Sequence, residues 1–324
     1  MRRLVIGLAL VGLGAFLLVA APLTRTYVAG KLVKFPLNTY VKTTLLGHDV
    51  SYFSPKLVRP VTGATIEVTD TVKGDGPAGN SSTAVWDEFT YLYDLSNHVV
   101  FSYTTRRAAF DRRTGMLVDC CGANIGGNSA IRQTGLSGYV WPIGTQKRTY
   151  DVFDTTLLKP VPFRYEGTGT IHGIEVYRFV EQVPPTQTGT QQVPGSLVGS
   201  SQNLVTLPEY YTATNTYWVD PRTGGVLDSN ANSKQYLRNT VNGQDLMLFN
   251  GDLAMTPASV STAVRLDSTG RTELDWFELF GPLAGALLGL VLLVTGIVLI
   301  RLRPGEQPEE ARDAEPEPAL GPAR

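Results

Sequence analysis

The chain has 324 residues, with 28 Lys and Arg against 29 Asp and Glu, a formal net charge of -1, and 43% hydrophobic residues. That balance excludes the basic surface a nucleic-acid partner needs, and the length allows one large or two small domains whose core needs no disulfide staples. Two Cys and three scattered His provide no four-ligand spacing, so no metal or other cofactor is expected.

Residues 4–21 carry no charged or strongly polar side chain, directly after Arg2 and Arg3. Residues 279–300, LFGPLAGALLGLVLLVTGIVLI, repeat the pattern, with Arg301 and Arg303 behind them. A bilayer core about 30 Å thick takes ~20 apolar residues of helix. Two transmembrane helices, 4–22 and 279–300, are therefore predicted. Because Lys and Arg at span ends favour the cytoplasmic side, residues 1–3 and a tail at 301–324 are placed in the cytoplasm and residues 23–278 outside the plasma membrane. Tyr27, Trp276, Phe277 and Phe280 fall where interfacial aromatics are expected. The first span also imitates a cleaved signal peptide ending at Val19, Ala20 and Ala21, but its apolar run is longer than usual and Pro22 would follow the cut directly. An uncleaved anchor is the expectation. The tail beyond Arg303, rich in Pro and Glu, is expected to be disordered.

Period-two runs dominate the exported part: ATIEVTDTV from Ala64, VVFSYTT from Val99, IEVYRFVEQV from Ile174 and TYWVDP from Thr216. Such runs of β-branched and aromatic residues, parted by Gly, Asn, Asp and Pro, predict antiparallel sheets joined by hairpins. Residues 167–169 (GTG) and 172–173 (HG) read as turns, and residues 182–208 as a long mobile or disordered loop. A minor helix is predicted over residues 258–266, capped by Thr256 and Pro257 and stopped by Asp267 to Gly270. The predicted fold is thus a mainly β exported domain flanked by N- and C-terminal transmembrane helices.

FDRRTGMLVD from Phe110 is echoed by VDPRTGGVLD from Val219. Each copy opens a hairpin turn with Asp (Asp111, Asp220), whose side chain can bond the backbone two residues on, and closes it with Gly (Gly115, Gly224) at a position of positive φ. A duplicated sheet module and convergent turn chemistry both explain the echo.

The two cysteines, Cys120 and Cys121, are adjacent. Neighbouring Cα atoms lie 3.8 Å apart across a trans peptide, shorter than disulfides usually want, so a bond between them would be strained and would close the smallest of loops. Export makes oxidation plausible. A vicinal disulfide, a buried reduced pair and bridges to other chains all remain open.

The segment 135–181 together with DRRTG…DCCG, YWVDPRTG and the two spans resembles the actinobacterial porin-A-like (PorA) family of two-pass envelope membrane proteins. The resemblance implies a mainly β exported domain with a role in the cell envelope, and some relatives are linked to maturation of a mannose-based lipoglycan. A literal outer-membrane porin is disfavoured, because such barrels cross with strands and use no long apolar helices. Gly281, Gly285 and Gly289 form two successive GxxxG spacings that can pack against Gly7 and Gly14 of the first span or assemble a channel-forming oligomer.

No GxSxG, HExxH, phosphate-loop or dinucleotide motif occurs, so no catalytic residue is assigned. His48, His98 and His172 read as surface or turn residues, and Asp151 and Asp154 as turn and capping carboxylates. The expectation is a non-enzymatic envelope protein that binds, or helps transfer or mature, a lipid or lipoglycan. The alternatives are a scaffold for envelope-synthesis proteins, a porin-like oligomer, and a glycan-processing enzyme using Asp151 or Asp154.

Overall fold

The computed structural model describes residues 2–23, 32–240 and 242–302. Tyr27, Arg303 and the acidic tail lie outside the described residues. The chain divides into two compact units, residues 1–28 with 277–324, and residues 29–276.

In the first unit, α1 (Arg2–Leu23) and α3 (Gly281–Arg301) are the apolar helices. Both are long and apolar enough to cross a membrane. They pack on each other through small residues. A Cβ on Gly14 would stand 2.6 Å from the Gly289 carbonyl oxygen, and one on Gly296 would stand 2.7 Å from the Gly7 carbonyl oxygen. Backbones approach this closely only where side chains are absent. Leu8, Phe16, Val19, Leu287 and Val291 point outward from the pair and are exposed, the surface a bilayer would solvate.

The second unit is an antiparallel sheet of 11 strands. The strands are β1 (Tyr40–Ser54), β2 (Arg59–Gly74), β3 (Thr83–Asp94), β4 (Val99–Asp111), β5 (Asn124–Ile125) and β6 (Tyr150–Asp154). They continue with β7 (Lys159–Ile171), β8 (Ile174–Pro194), β9 (Leu204–Val219), β10 (Val226–Leu237) and β11 (Leu246–Met255). The spatial order is β5-β4-β3-β2-β1-β11-β10-β9-β8-β7-β6. Its two ends are joined by the connection between β5 and its neighbours. Val118 N–H donates to Ala109 of β4, Leu117 N–H to Gly135, and Leu136 N–H to Asp151 of β6. Hydrogen bonding therefore runs right round the sheet and leaves few edge groups unpaired.

Inward positions alternate with polar outward ones such as Lys42, Lys73, Asp87 and Asn232. One apolar cluster gathers Trp141, Phe163, Phe179 and Val219, and another Val50, Tyr52, Ile66 and Phe249. Helix α2 (Pro257–Asp275) follows β11 and packs against β10 and β1.

Three local expectations are corrected. Residues 182–208 form the distal halves of β8 and β9 with a short 3-10 turn, Gly195–Val198, between them. The misleading signal was Pro184 and Pro185: beyond Val180 strand β8 pairs only with β9, and the prolines fall where the register shifts between Val183 and Thr186, so no ladder donor is lost. Residues 167–169 lie inside β7, Gly167 at a register shift rather than at a chain reversal, whereas residues 172–173 do turn the chain into β8. Helix α2 runs past residues 267–270. Its stop signal is overridden by tertiary contacts, Thr223 donating to Asp267 and Arg271 pairing with Asp220 at 2.6 Å, while within the helix the Ser268 hydroxyl bonds back to the Val264 carbonyl. The cap is as read, with the Thr256 side chain accepting from Ser259 N–H and Pro257 at the first helical position.

Candidate functional site

Strand alternation does more than make a core. The closed sheet surrounds a partly open cavity of about 1070 Å³ whose lining comes from β1, β2, β3, β4, β6, β7, β8, β9, β10, β11, the segments at 33–39 and 137–143 and helix α2. Packed interiors rarely leave such space, and it matches the size of small-molecule sites.

Charged residues stand in the inward phase, where apolar ones are the rule. On one side Glu88 of β3 lies opposite Arg106 of β4 in register. Tyr139 donates its hydroxyl to Glu88 at 2.8 Å, and the Arg106 guanidinium is 3.9 Å from the same carboxylate. Arg106 also donates to Gln133 Oε1 at 2.8 Å and to the Ser137 carbonyl at 2.9 Å, and it stacks over the Tyr139 ring at 4.9 Å. Asp70 of β2 accepts from Thr90 at 2.9 Å, and burial together with the adjacent Glu88 holds its pKa well above the carboxylate range.

A second group lies on β8 and β9. Glu181 is 1% exposed, and Asn215 donates to its Oε2 at 2.7 Å. Burial, then Asp154, pushes its pKa up to about 7 against the opposing Asn215 bond. Tyr211 and Tyr217 flank it, and burial followed by the surrounding carboxylates raises both phenols. Tyr217 is acted on by Glu181, Glu88, Asp154 and Asp70 alike, so the two groups share one chamber. A further acid, Asp267 of α2, lines the cavity beside Thr223, its pKa raised by burial and by Asp220.

The residues singled out from sequence mostly lie elsewhere. Cys120 and Cys121 form a disulfide in an outer turn, where Arg107 Nε donates to the Cys121 carbonyl at 3.0 Å. They do not line the cavity. Asp111 accepts from the N–H groups of Arg113 and Thr114 at 3.0 and 2.8 Å, and Asp220 from that of Arg222 at 2.8 Å. Gly115 and Gly224 close those turns at φ +67 and +78. Between the two turns runs the segment that closes the sheet: Trp141 N–H donates to Gly224, Ile143 N–H to Arg113, and Gly144 N–H to Arg222. Gly289 sits against α1 and Gly285 is in ordinary contact with Ala21, while Gly281 is half-buried. Asp154 accepts from Thr156 and Leu157 N–H groups at the β6–β7 turn and borders the cavity, but Asp151 is exposed, so the two carboxylates do not converge. His48, His98 and His172 are exposed. Among the described residues no cluster of three or more His, Cys, Asp or Glu is arranged to hold a metal ion.

Sequence reasoning missed Glu88, Arg106, Glu181 and Asp70. Their signal was a charge in phase with apolar neighbours, as in Phe179-Val180-Glu181, where Phe179 and Glu181 share a face. Arg106 and Arg107 could not be told apart in this way, since either phase buries one arginine.

A protein-family profile described as "Porin PorA" matches residues 6–298. A stretch of 95 residues is 35% identical to Porin PorA of Corynebacterium resistens (strain DSM 45100 / JCM 12819 / GTC 2026 / SICGH 158), covering 26% of this chain and 23% of that protein. The chain thus aligns with under a quarter of the length of that curated relative.

Proposed function

From its membership of the Porin PorA family, to which the chain belongs, we propose that this is a two-pass protein of the envelope membrane whose exported β domain takes up an amphipathic ligand, an envelope lipid or lipoglycan, without performing chemistry on it. The observation that carries this reading is the cavity of about 1070 Å³ inside a closed sheet. Its wall combines apolar clusters with a few convergent polar groups, the lining expected of a ligand site. The absence of any nucleophile and base pair at recognisable spacing supports a carrier over an enzyme. In this reading both termini are cytoplasmic and residues 23–278 stand outside, following the flanking Arg residues.

The family's name favours a second reading, an oligomeric channel. Two observations weigh against it, one from the sheet and one from the helices. Its outward positions carry Lys42, Lys73, Asp87 and Asn232 rather than the apolar band of a lipid-facing barrel. The close-packing glycines of α3 are also engaged within one chain, by α1.

Native and denaturing mass spectrometry of the full-length protein, extracted in mild detergent from its host, tests the carrier. A lipid or lipoglycan adduct that leaves on denaturation is the expected result. A ligand-free protein that conducts ions in planar bilayers would replace this reading with the channel.

A further inference from the structure

Among the described residues, Glu181 stands in the cavity wall without a counter-ion. It is 1% exposed, and its Oε1 has no hydrogen-bond partner among the described residues. The groups acting on it are Asn215 of β9 and Asp154 of β6. Tyr217, which lies opposite Phe179 on the neighbouring strand, also senses Glu88 of β3 and Asp70 of β2, and Tyr211 senses Asp154 and Glu181. Of the cavity's cations among the described residues, Arg106 is held through Nε and Nη1 by Gln133, Ser137 and Glu88, with Nη2 unpartnered, and Lys34 donates to the Ser81 carbonyl at 2.7 Å; neither is among the groups acting on Glu181. Lys159 acts on Asp154 but does not line the cavity. Aromatic surface is close at hand: the Phe163 and Tyr217 rings stack at 5.1 Å, and Phe179 is fully buried beside them.

We propose that Glu181 is the binding site for a positively charged amine on the ligand, an ammonium whose N–H donates to Oε1 and whose charge faces the rings of Tyr211 and Tyr217. This rests on the carrier reading and names the chemistry of one end of the ligand. A carboxylate oxygen with no partner needs a donor. Carboxylates without a basic neighbour repel phosphate or sulfate, and an uncharged hydroxyl can pair with the protonated acid but does not compensate its charge once it ionises. An ammonium satisfies both demands and adds attraction to the aromatic faces. When the cavity is empty, burial leaves about half of the carboxyl protonated at neutral pH. Binding converts it to the carboxylate, the proton leaves to solvent, and the ammonium keeps its own protons, so charge balances.

The test uses the full-length protein in nanodiscs of zwitterionic lipid, with calorimetry of octylammonium, octyl glucoside and octanoate at pH 6 and pH 8, and empty discs subtracted. Octylammonium should bind more tightly than the other two by about tenfold or more at pH 8, the scale of one charge-assisted hydrogen bond. Its affinity should rise from pH 6 to pH 8, with proton release seen as heat that varies with the buffer. Glu181→Gln should abolish the preference and the proton release while retaining octyl glucoside binding, which also reports that the variant is folded. Glu175→Gln, at an exposed position, should change neither. Equal binding of all three probes, or an unchanged preference in Glu181→Gln, overturns the ammonium site and leaves the carrier reading intact. No binding by any probe removes both.

Discussion

Gly115 and Gly224 press on consecutive carbonyl groups of one segment. A Cβ on Gly115 would lie 2.5 Å from the Val140 oxygen, and one on Gly224 would collide with the Trp141 oxygen. The echoed DRRTG and DPRTG turns are thus the two jaws that hold residues 140–144, the segment that places Tyr139 beside Glu88 and buries Trp141 in the core.

Both glycines combine positive φ with backbone contact, so Gly115→Ala and Gly224→Ala should each destabilise the exported domain by about 2–4 kcal/mol, the left-handed cost plus displacement of the segment. Gly173 has a similar φ of +82 with open space around it. Gly173→Ala should therefore cost only about 1 kcal/mol. Chemical denaturation of the three variants separates strain from steric contact, and equal losses would show that the jaws do not grip.

Glu181 titrates at about 7 in the folded protein against an ordinary 4.5. The folded state keeps its proton longer than the unfolded chain, so this group costs nothing below about pH 4.5, and its penalty grows as pH rises from there to about 7. At one to two units of pH above that window the cost is roughly 3 kcal/mol. Glu181→Gln should melt like the parent at pH 4.5 and at a higher temperature at pH 8. A difference that is the same at both values would place the effect in packing, not charge.

The α1–α3 contact predicts a positional contrast within one helix. Gly14→Leu should break the close approach to Gly289 and cost about 1–3 kcal/mol of helix association, whereas Gly12→Leu, with nothing within 4 Å, should be tolerated. Disulfide trapping between cysteines introduced on the two helices measures this. Loss of cross-linking in Gly12→Leu as well would mean that bulk anywhere on α1 disrupts the pair.

Because a disulfide between adjacent residues closes almost no loop, the double variant Cys120→Ser with Cys121→Ser should lose less than about 1 kcal/mol of stability. Denatured intact mass of the parent should rise by two hydrogens on reduction. A loss of several kcal/mol would mean that the turn at residues 118–123 anchors the sheet closure more than its hydrogen bonds suggest.

What the sequence determined alone follows from short-range physics. Two uncharged apolar runs can be solvated only by lipid or by each other, period-two alternation selects strands, and Asp-to-Gly turns write their own hydrogen bonds, so spans, strands and hairpins were legible in Leu4 onward, in IEVYRFVEQV and in the twin DxRTG turns. Only the tertiary structure decided the rest. Pro184 and Pro185 read as loop until β9 paired this part of β8 and the end of β7 pairing at Val180 left its other edge free, and residues 267–270 read as a helix stop until Thr223 and Asp220 held them. The closing of the sheet through residues 116–118 and 135–137 depends on contacts far apart in sequence, which no local pattern encodes. Because that closure brings Asp70, Glu88, Arg106 and Glu181 from four strands round one cavity, the site exists only in the folded protein, where burial gives otherwise ordinary side chains their chemistry.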